Sequence, residues 1–341
     1  MSKQQNLPRI FIGSDWDLDG IMAAALVLYA QDKLNLYPHN GKAIVEKKPL
    51  DPDRFKYIFQ DLNEGYEYMV LLDIPYTDRV YSIIKLVKRH FGIRKIIYFD
   101  HHLSTIMHKK DLVNVVDEII VDHGKPTSIL VAEVLEKRGV QIPDRIKRFL
   151  EVIEFMDVGK KIPEDKYKIF EYLKQIAKAI AYTRDETLWA RTVEWFASPI
   201  ADLSIFDTKP FKLVMERIVK MDKEISDIAL NLALTGVKIG DFRFIDARSK
   251  QNAAYSFTPL VSRLASILKK PVIVRFKTSK DFNILVIKAS KGRAYRLAKN
   301  LYTEGVAQDI GGHANLAIVK IPKNIENSVL IDVLRKIMYY L

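Results

Sequence analysis

The first half of the chain alternates between two hydrophobic patterns. Short apolar runs bounded by polar residues are typical of buried strands, and longer segments with apolar residues three or four positions apart are typical of amphipathic helices. This alternation predicts an α/β fold in which helices cover both faces of a parallel sheet. The predicted strands are 9–15, 66–75, 93–102 and 113–121, and the predicted helices are 20–34, 77–92 and 126–139.

The second half begins with a mostly helical region, 143–234, and then returns to alternation. Residues 211–235 have apolar positions at helical spacing and predict one long helix that joins two domains. We predict a larger catalytic domain at 1–210 and a smaller mixed α/β domain at 236–341. In the smaller domain the predicted strands are 237–247, 271–276, 282–290 and 314–322, and the predicted helices are 258–270 and 292–305.

The composition excludes several kinds of site. The chain contains no cysteine, which excludes disulfides, thiolate zinc sites, iron–sulfur clusters and cysteine nucleophiles. No segment reaches the roughly 18 consecutive apolar residues of a membrane span, and the N-terminus lacks the apolar core of a signal peptide. We therefore expect a soluble cytoplasmic protein without a membrane partner. Abundant Lys and Ile with no Cys also suits a thermophile.

The net charge of +12 belongs to the last third of the chain. Residues 236–341 contain 19 Lys and Arg against 7 Asp and Glu, whereas the first 235 residues contain 35 of each. A basic domain next to a neutral one favours a polyanionic partner such as nucleic acid or nucleotide phosphate. Solubility in a lysine-rich proteome is the alternative explanation.

Three of the predicted strands end in acidic residues, and the third is followed directly by two histidines. The carboxyl ends of parallel strands line one crevice, so side chains far apart in sequence can converge there. Carboxylates with one or two imidazoles and no thiolate select Mn²⁺ or Mg²⁺. The residues are, in chain order, Asp15, Asp17, Asp19, Asp73, Asp100, His101 and His102.

More than four such ligands suggest two ions that share a bridging carboxylate. Two ions roughly 3.5–4 Å apart stabilise both the attacking and the leaving oxygen at a phosphorus centre, and they lower the pKa of a bridging water toward neutrality. The residues therefore predict metal-assisted hydrolysis of a phosphoester.

The same segments resemble the motifs of a known family, the DHH phosphoesterases. "DWDLDG", "LLDIP" and "YFDHHLS" are similar in order and spacing to the first three motifs of that family. "VIEFMDVGK" places Asp157 at the fourth motif, 56 residues after His101. The first motif is more similar to the RecJ branch than to the oligoribonuclease (NrnA-like) branch, which has a histidine at the position of Phe11.

The C-terminal part resembles the DHH-associated domain of the same family. The mark of that domain is a Gly-Gly-Gly-His loop, and the segment "DIGGHANLA" matches it except that Ile310 replaces the first glycine. The resemblance implies that His313 and the amides of Gly311 and Gly312 bind the phosphate of the substrate.

The resemblance also implies a metal centre of two Mn²⁺ ions, with Mg²⁺ or Co²⁺ as substitutes. One ion would be held by two carboxylates and the other by three carboxylates and an imidazole, with one carboxylate bridging both. Asp19 would take the coordination place of the missing histidine, although it also suits a helix cap. The first ion is assigned to Asp15 and Asp73, and the second to Asp17, Asp73, His101 and Asp157.

Two further groups of residues are assigned to the substrate. The resemblance implies that His102 contacts the scissile phosphate or protonates the leaving oxygen, and that Asp100 orients a histidine. Arg293 and Arg296 lie at a predicted helix start in "ASKGRAYRLAKN", where amides and arginines bind phosphate. A solvated helix face is the alternative for these two arginines.

We expect a Mn²⁺-dependent phosphodiesterase or exonuclease that removes nucleotides from an end of single-stranded DNA, RNA or short oligonucleotides. A cyclic dinucleotide, a very short RNA or polyphosphate is the alternative substrate. The second alternative is a RecJ-like component of a replication complex with a mainly scaffolding role. A homodimer and partners in replication or repair stay open, as does cleavage polarity.

Overall fold

The computed structural model describes residues 7–52, 54–62, 65–200, 209–249, 257–278 and 281–339. The chain divides into two units, Met1–Met215 and Glu216–Leu341, and each is described by itself. The division falls inside the helix Lys209–Ala233. The domain bounds of 1–210, 211–235 and 236–341 stay a prediction.

The N-terminal unit contains a five-stranded sheet in which every neighbouring pair is parallel, with the order β2-β1-β3-β4-β5. The predicted α/β class is therefore confirmed. The strands are β1 (Arg9–Ser14), β2 (Ile44–Pro49), β3 (Tyr66–Leu72), β4 (Lys95–Asp100) and β5 (Glu118–Val121). The helices are α1 (Leu18–Leu28), α2 (Ile58–Asp61), α3 (Asp78–Phe91), α4 (Leu103–Met107), α5 (Lys109–Leu112), α6 (Thr127–Lys137), α7 (Asp144–Val158), α8 (Tyr167–Thr183) and α9 (Glu186–Ala197).

The two faces of this sheet bury alternate residues of the same strands, because successive side chains of a strand point to opposite faces. Ile10 and Ile12 of β1 pack with apolar residues of α1, α6, α7 and α9. Phe11 lies between them and packs on the other face with Leu71, Tyr98 and the apolar side of α3. Phe11 is fully buried, so the residue that replaces the histidine of the NrnA-like branch is part of the core.

Strand β2 is an element that the hydrophobic pattern does not predict. It lies at the edge of the sheet, where only β1 pairs with it, and its central residues are half-exposed. Lys47 in its centre forms an ion pair with Glu194 of α9, with a distance of 2.7 Å between Nζ and Oε1. An edge strand with three charged residues in succession lacks the continuous apolar run of the central strands.

The C-terminal unit has a six-stranded mixed sheet with the order β10-β11-β9-β8-β7-β6, in which only β7 and β8 are parallel among the described pairs. Two apolar clusters lie on its two faces, one with α12 and α13 and the other with α10 and α11. The strands are β6 (Val237–Ile239), β7 (Phe242–Asp246), β8 (Val272–Lys277), β9 (Phe282–Lys288), β10 (Asp309–His313) and β11 (Leu316–Pro322). The helices are α10 (Lys209–Ala233), α11 (Phe257–Leu268), α12 (Arg293–Thr303) and α13 (Asn327–Met338).

Two predictions for this unit need correction. The single strand predicted at 237–247 is a hairpin of β6 and β7, because the chain turns at Gly240, whose φ of +58° suits glycine. The glycine–histidine segment expected as a loop forms β10, an edge strand paired antiparallel with β11. Two glycines give the segment a low strand propensity, so its pairing depends on β11 rather than on its own sequence.

No helix in the described part of the chain combines the length and the apolar character that crossing a membrane requires.

Candidate metal centre

The carboxyl ends of three neighbouring strands place the acidic residues together. Asp15 follows β1, and its backbone N–H donates to the carbonyl of Leu72 at the end of β3 over 3.2 Å. Asp73 follows β3, and its N–H donates to the carbonyl of Phe99 in β4 over 2.9 Å. These ladder contacts align the three strand ends, as the sequence predicts.

The side chains that converge there form three overlapping groups of ligand atoms. Within each group the atoms lie within 4.8 Å of one another. Asp73 and His101 each belong to two groups, which links the three into one cluster. The groups are Asp73 with His101 and His102, Asp19 with His101 and Asp157, and Asp15 with Asp17 and Asp73.

Asp73 is the centre of the cluster. It is fully buried and has a φ of +59°, a conformation that costs free energy for a residue other than glycine. Its Oδ1 accepts a hydrogen bond from Thr127 Oγ1 over 3.0 Å and lies 3.4 Å from His101 Nε2. No residue in the described part of the chain donates a hydrogen bond to its Oδ2. A buried carboxylate oxygen without a donor is costly, and a cation would satisfy it.

Burial and the mutual repulsion of the carboxylates raise the pKa values of this cluster. Burial raises the pKa of Asp73 well above its usual range, and the charges of Asp17 and Asp19 raise it further. Burial and the charge of Asp17 raise the pKa of Asp15 to about 7. Burial and the charge of Asp19 raise the pKa of Asp157 to about 7. The residues therefore fit a site for divalent cations, whose charge would favour the ionised carboxylates.

Asp17 and Asp19 cap two different helices. Asp17 is exposed and caps its own helix α1, because its Oδ1 accepts from the N–H of Gly20 over 3.0 Å. Asp19 is buried and caps α6, since its oxygens accept from the N–H of Thr127 over 2.7 Å and from the N–H of Ser128 over 3.0 Å. The Ser128 hydroxyl also donates to Asp19. The metal role of Asp19 stays a prediction, and the structure adds its role at the start of α6.

His101 lies among carboxylates. Its Nδ1 is 3.7 Å from Asp157 Oδ2, and its Nε2 is 3.9 Å from Asp19 Oδ2. Burial by itself lowers the pKa of His101, but the hydrogen bond and charge of Asp73 and the charges of Asp19 and Asp157 raise it to about 11. Asp157 reaches this point from the C-terminal turn of α7, so the fourth motif joins the other three.

His102 has a separate partner, Asp100. Its Nδ1 lies 2.7 Å from Asp100 Oδ1, and the other oxygen of Asp100 accepts from the hydroxyl of Thr105. Burial by itself lowers the pKa of His102, but the charge and hydrogen bond of Asp100 raise it to about 9. Among the described residues Asp100 belongs to none of the three ligand groups, and the orienting role expected for it stays a prediction.

The five residues assigned to bind the substrate's phosphates, apart from His102, lie in the C-terminal unit. Gly311 and Gly312 are part of β10, and the side chain of His313 lies outside the described residues. Arg293 forms two hydrogen bonds with Asp241, of 2.7 and 2.6 Å, and lies over the ring of Phe242.

This ion pair gives Arg293 a local structural role, whereas Arg296 is exposed on α12. The assignment of these five residues to the substrate stays a prediction.

Three hydroxyl residues at this site are not among the residues that the sequence analysis selects. Thr105, Thr127 and Ser128 are fully buried and donate to Asp100, Asp73 and Asp19 respectively. The sequence indicates "PTS" at 126–128 only as a helix start.

The sequence gives little indication that these three hydroxyls belong to the site, for two reasons. Thr127 and Ser128 donate to carboxylates 54 and 109 residues away, so only the folded chain brings each pair together. Thr105 is five residues from Asp100, but a single threonine after "DHH" suits a helix start equally well.

Comparison with known proteins gives matches among solved structures alone. No protein-family profile and no curated protein matches the chain. RecJ from Thermus thermophilus in complex with Mn²⁺ is similar over 99% of this chain and 53% of its own, with a TM-score of 0.62 and 11% identity. This chain thus spans about half the length of that RecJ.

Two further structures are similar. The pGpG-specific phosphodiesterase PggH from Vibrio cholerae has a TM-score of 0.54 and 12% identity, over 97% of this chain and 99% of its own. An exonuclease RecJ bound to manganese has a TM-score of 0.52 and 11% identity, over 99% of this chain and 90% of its own. The chain has the fold of RecJ and PggH, so the resemblance to DHH phosphoesterases is confirmed at the level of the fold.

Proposed function

We propose that this protein is a metal-dependent phosphoesterase that hydrolyses phosphodiester bonds in single-stranded nucleic acid or short oligonucleotides, with Mn²⁺ as its preferred ion. The observation that carries the proposal is the buried carboxylate of Asp73, which has one oxygen without a donor and belongs to two of the three ligand groups. That arrangement suits a carboxylate that bridges two divalent ions.

The assignment of residues starts from the three groups and differs from the sequence prediction at Asp17. Asp17 would hold the first ion with Asp15 and Asp73, because these three share a group, whereas the sequence analysis gives Asp17 to the second ion. Asp73, His101 and Asp157 would hold the second ion, since His101 shares one group with Asp73 and another with Asp157, and Asp19 would lie beside it. Divalent ions in such a site offset the charge of a phosphodiester and lower the pKa of a coordinated water. This donor set of carboxylates and imidazole, without thiolate, suits Mn²⁺ and Mg²⁺.

His102 is the residue of this chain that would act on the substrate. The pair with Asp100 holds Nδ1 of His102, and Nε2 is the atom that we assign to a reacting phosphate. A histidinium is favoured by the charge of Asp100, which raises the pKa of His102 to about 9. We assign His102 to contact the scissile phosphate and donate a proton to the leaving oxygen.

The basic residues at 236–341 would bind the substrate's phosphates. This proposal keeps the predicted division, in which the metal centre belongs to 1–210 and residues 211–235 form the linker. No described atom lies within 4 Å of the place where a Cβ of Gly311 would stand, which supports a ligand contact at this part of β10. His313, Arg293 and Arg296 are the other candidates there.

A second candidate substrate is a dinucleotide. PggH, which acts on pGpG by its name, matches this chain over nearly the full length of both proteins, whereas the match to the Thermus RecJ covers about half of that enzyme. The mutual coverage with PggH supports a short substrate, and the exonuclease RecJ that matches over 99% of this chain and 90% of its own supports a longer strand, so the substrate has to be decided by experiment.

A substrate panel tests the function and separates these candidates. Single strands of DNA and RNA labelled at either end, pGpG, a cyclic dinucleotide and polyphosphate would each be incubated with Mn²⁺. We expect hydrolysis of single strands or dinucleotides that Asp73→Asn abolishes. Hydrolysis of none of them by a Mn²⁺-loaded protein would contradict the proposal and favour the scaffolding alternative.

A further inference from the structure

Two buried threonines each donate a hydrogen bond to a different carboxylate of the candidate metal centre. Thr127 Oγ1 donates to Asp73 Oδ1 over 3.0 Å, and Thr105 Oγ1 donates to Asp100 Oδ2. Both threonines are 0% exposed, so each hydroxyl donates to its carboxylate within the protein interior. An ionised carboxylate only accepts, and each hydroxyl has a single proton to give.

Thr127 donates to Asp73, the carboxylate that we propose to bridge the two ions. Its own position is fixed because its backbone N–H donates to Asp19 Oδ2 over 2.7 Å at the start of α6. Its hydroxyl and the nearby His101 Nε2 both face Oδ1 of Asp73. Oδ2 is then the oxygen of Asp73 that is left for a cation, and it is the one without a donor.

Thr105 donates to the other carboxylate, Asp100. Its Oγ1 accepts from the backbone N–H of Tyr76 over 2.8 Å, so the hydroxyl proton is directed to Asp100. The remaining oxygen of Asp100 meets His102 Nδ1 at 2.7 Å. A chain of contacts therefore runs from the loop after β3 through Thr105 and Asp100 to the ring of His102.

We propose that the two threonines are positioning residues with separate effects: Thr127 sets the metal ligand Asp73, and Thr105 sets the Asp100–His102 pair that acts on the substrate. The inference rests on the proposed function. Partners that orient metal ligands change metal affinity or activity roughly 10–100-fold when they are removed. The separation predicts that one threonine controls metal affinity and the other controls turnover.

The test compares Thr127→Val with Thr105→Val, which remove the hydroxyl and keep the shape of the side chain. Mn²⁺ alone is titrated into metal-free protein by calorimetry. Thr127→Val should weaken Mn²⁺ binding by roughly 10–100-fold, and Thr105→Val should leave it at the wild-type value. With saturating Mn²⁺ and the best substrate of the panel, Thr105→Val should lower kcat by roughly 10–100-fold with KM unchanged.

Serine variants at both positions are the matched controls. Thr127→Ser and Thr105→Ser keep the donor and should restore Mn²⁺ affinity and kcat respectively, which a merely structural role of the methyl group would not do. If a valine variant does not fold, the alanine and serine variants of the same position make the same comparison.

The outcomes distinguish this inference from the proposed function. Wild-type Mn²⁺ affinity in Thr127→Val, or equal loss of affinity in both valine variants, would overturn the inference alone. A wild-type protein that binds Mn²⁺ but hydrolyses nothing would overturn the proposed function and the part of the inference that concerns Thr105. A wild-type protein that binds no Mn²⁺ would overturn both.

Discussion

Asp73 combines three features that rarely occur together at a residue without a function. It has a left-handed backbone conformation, its carboxylate is fully buried, and one carboxylate oxygen receives no hydrogen bond from the residues that the structure describes. Strained residues persist only where the surrounding structure fixes them, and they cluster at functional sites. Here the parallel sheet fixes Asp73, because its N–H belongs to the ladder with β4.

The raised pKa values of Asp15 and Asp157, both about 7, predict how the stability of the metal-free protein depends on pH. Each carboxyl binds its proton more tightly in the folded chain than in the unfolded chain, so its contribution to stability is present below about pH 4 and is lost as pH rises through 7. His101, with a pKa raised from 6.5 to about 11, acts in the same direction between those two values.

Urea unfolding in EDTA at about pH 5 and about pH 8 measures this effect. We expect the free energy of unfolding of wild type to fall between the lower and the higher pH, and Asp15→Asn to show a smaller fall. Asp32→Asn, at an exposed position, is the control and should keep the wild-type dependence. Equal pH dependence in wild type and Asp15→Asn would contradict the assignment.

At the scale of elements, the start of α6 is tied to α1 through Asp19. The acceptors for two backbone N–H groups of α6 come from this single side chain rather than from a residue before the helix, since the cap position is Pro126. The first turn of α6 also contains Thr127, whose hydroxyl donates to Asp73. This turn therefore connects the Asp19 cap to the candidate metal centre.

Asp19→Asn tests this link. Asparagine offers one oxygen instead of two, so we expect the free energy of unfolding to fall by about 1–3 kcal/mol. The amides of Thr127 and Ser128 should exchange hydrogen faster. Asp17→Asn is the matched control, and it should affect the amide of Gly20 in α1 instead. Unchanged exchange at α6 in Asp19→Asn would show that the cap contributes little.

The two glycines of β10 differ in how strongly the structure requires a glycine at their position. Gly312 has a φ of +97°, and a Cβ there would lie 2.3 Å from the carbonyl oxygen of Leu316. At Gly311 no atom of the described residues lies within 4 Å of a Cβ. We expect Gly312→Ala to lower the free energy of unfolding by about 1–3 kcal/mol, and Gly311→Ala to leave it near wild type. Chemical denaturation of both variants checks this, and equal stability would contradict it.

Much of the arrangement of strands and helices follows from the sequence. The central strands β1, β3 and β4 are continuous apolar runs, and the acidic residues at their ends converge because the sheet is parallel. The edge strands β2 and β10 are not predicted, since their residues are partly charged or glycine. Thr127 is not predicted because its partner Asp73 is distant in sequence and close only in the fold.

At the scale of the whole molecule, the charge asymmetry predicts how substrate binding responds to salt. The 19 basic residues at 236–341 exceed the 7 acidic ones there. If this region binds the phosphates of an oligonucleotide, the logarithm of the affinity should fall linearly with the logarithm of the salt concentration. Fluorescence anisotropy with a labelled single strand measures the slope, and a flat dependence would exclude the region as the phosphate-binding surface.

The central claim is that the cluster around Asp73 binds two divalent ions. Calorimetric titration of metal-free protein with Mn²⁺ tests it directly, with Asp73→Asn as the variant because asparagine also tolerates the left-handed conformation. We predict two Mn²⁺ ions per wild-type chain and an affinity for both that is more than about 100-fold lower in the variant, beyond the loss caused by orienting partners. Absence of Mn²⁺ binding by the wild type, or unchanged binding by the variant, would contradict the account.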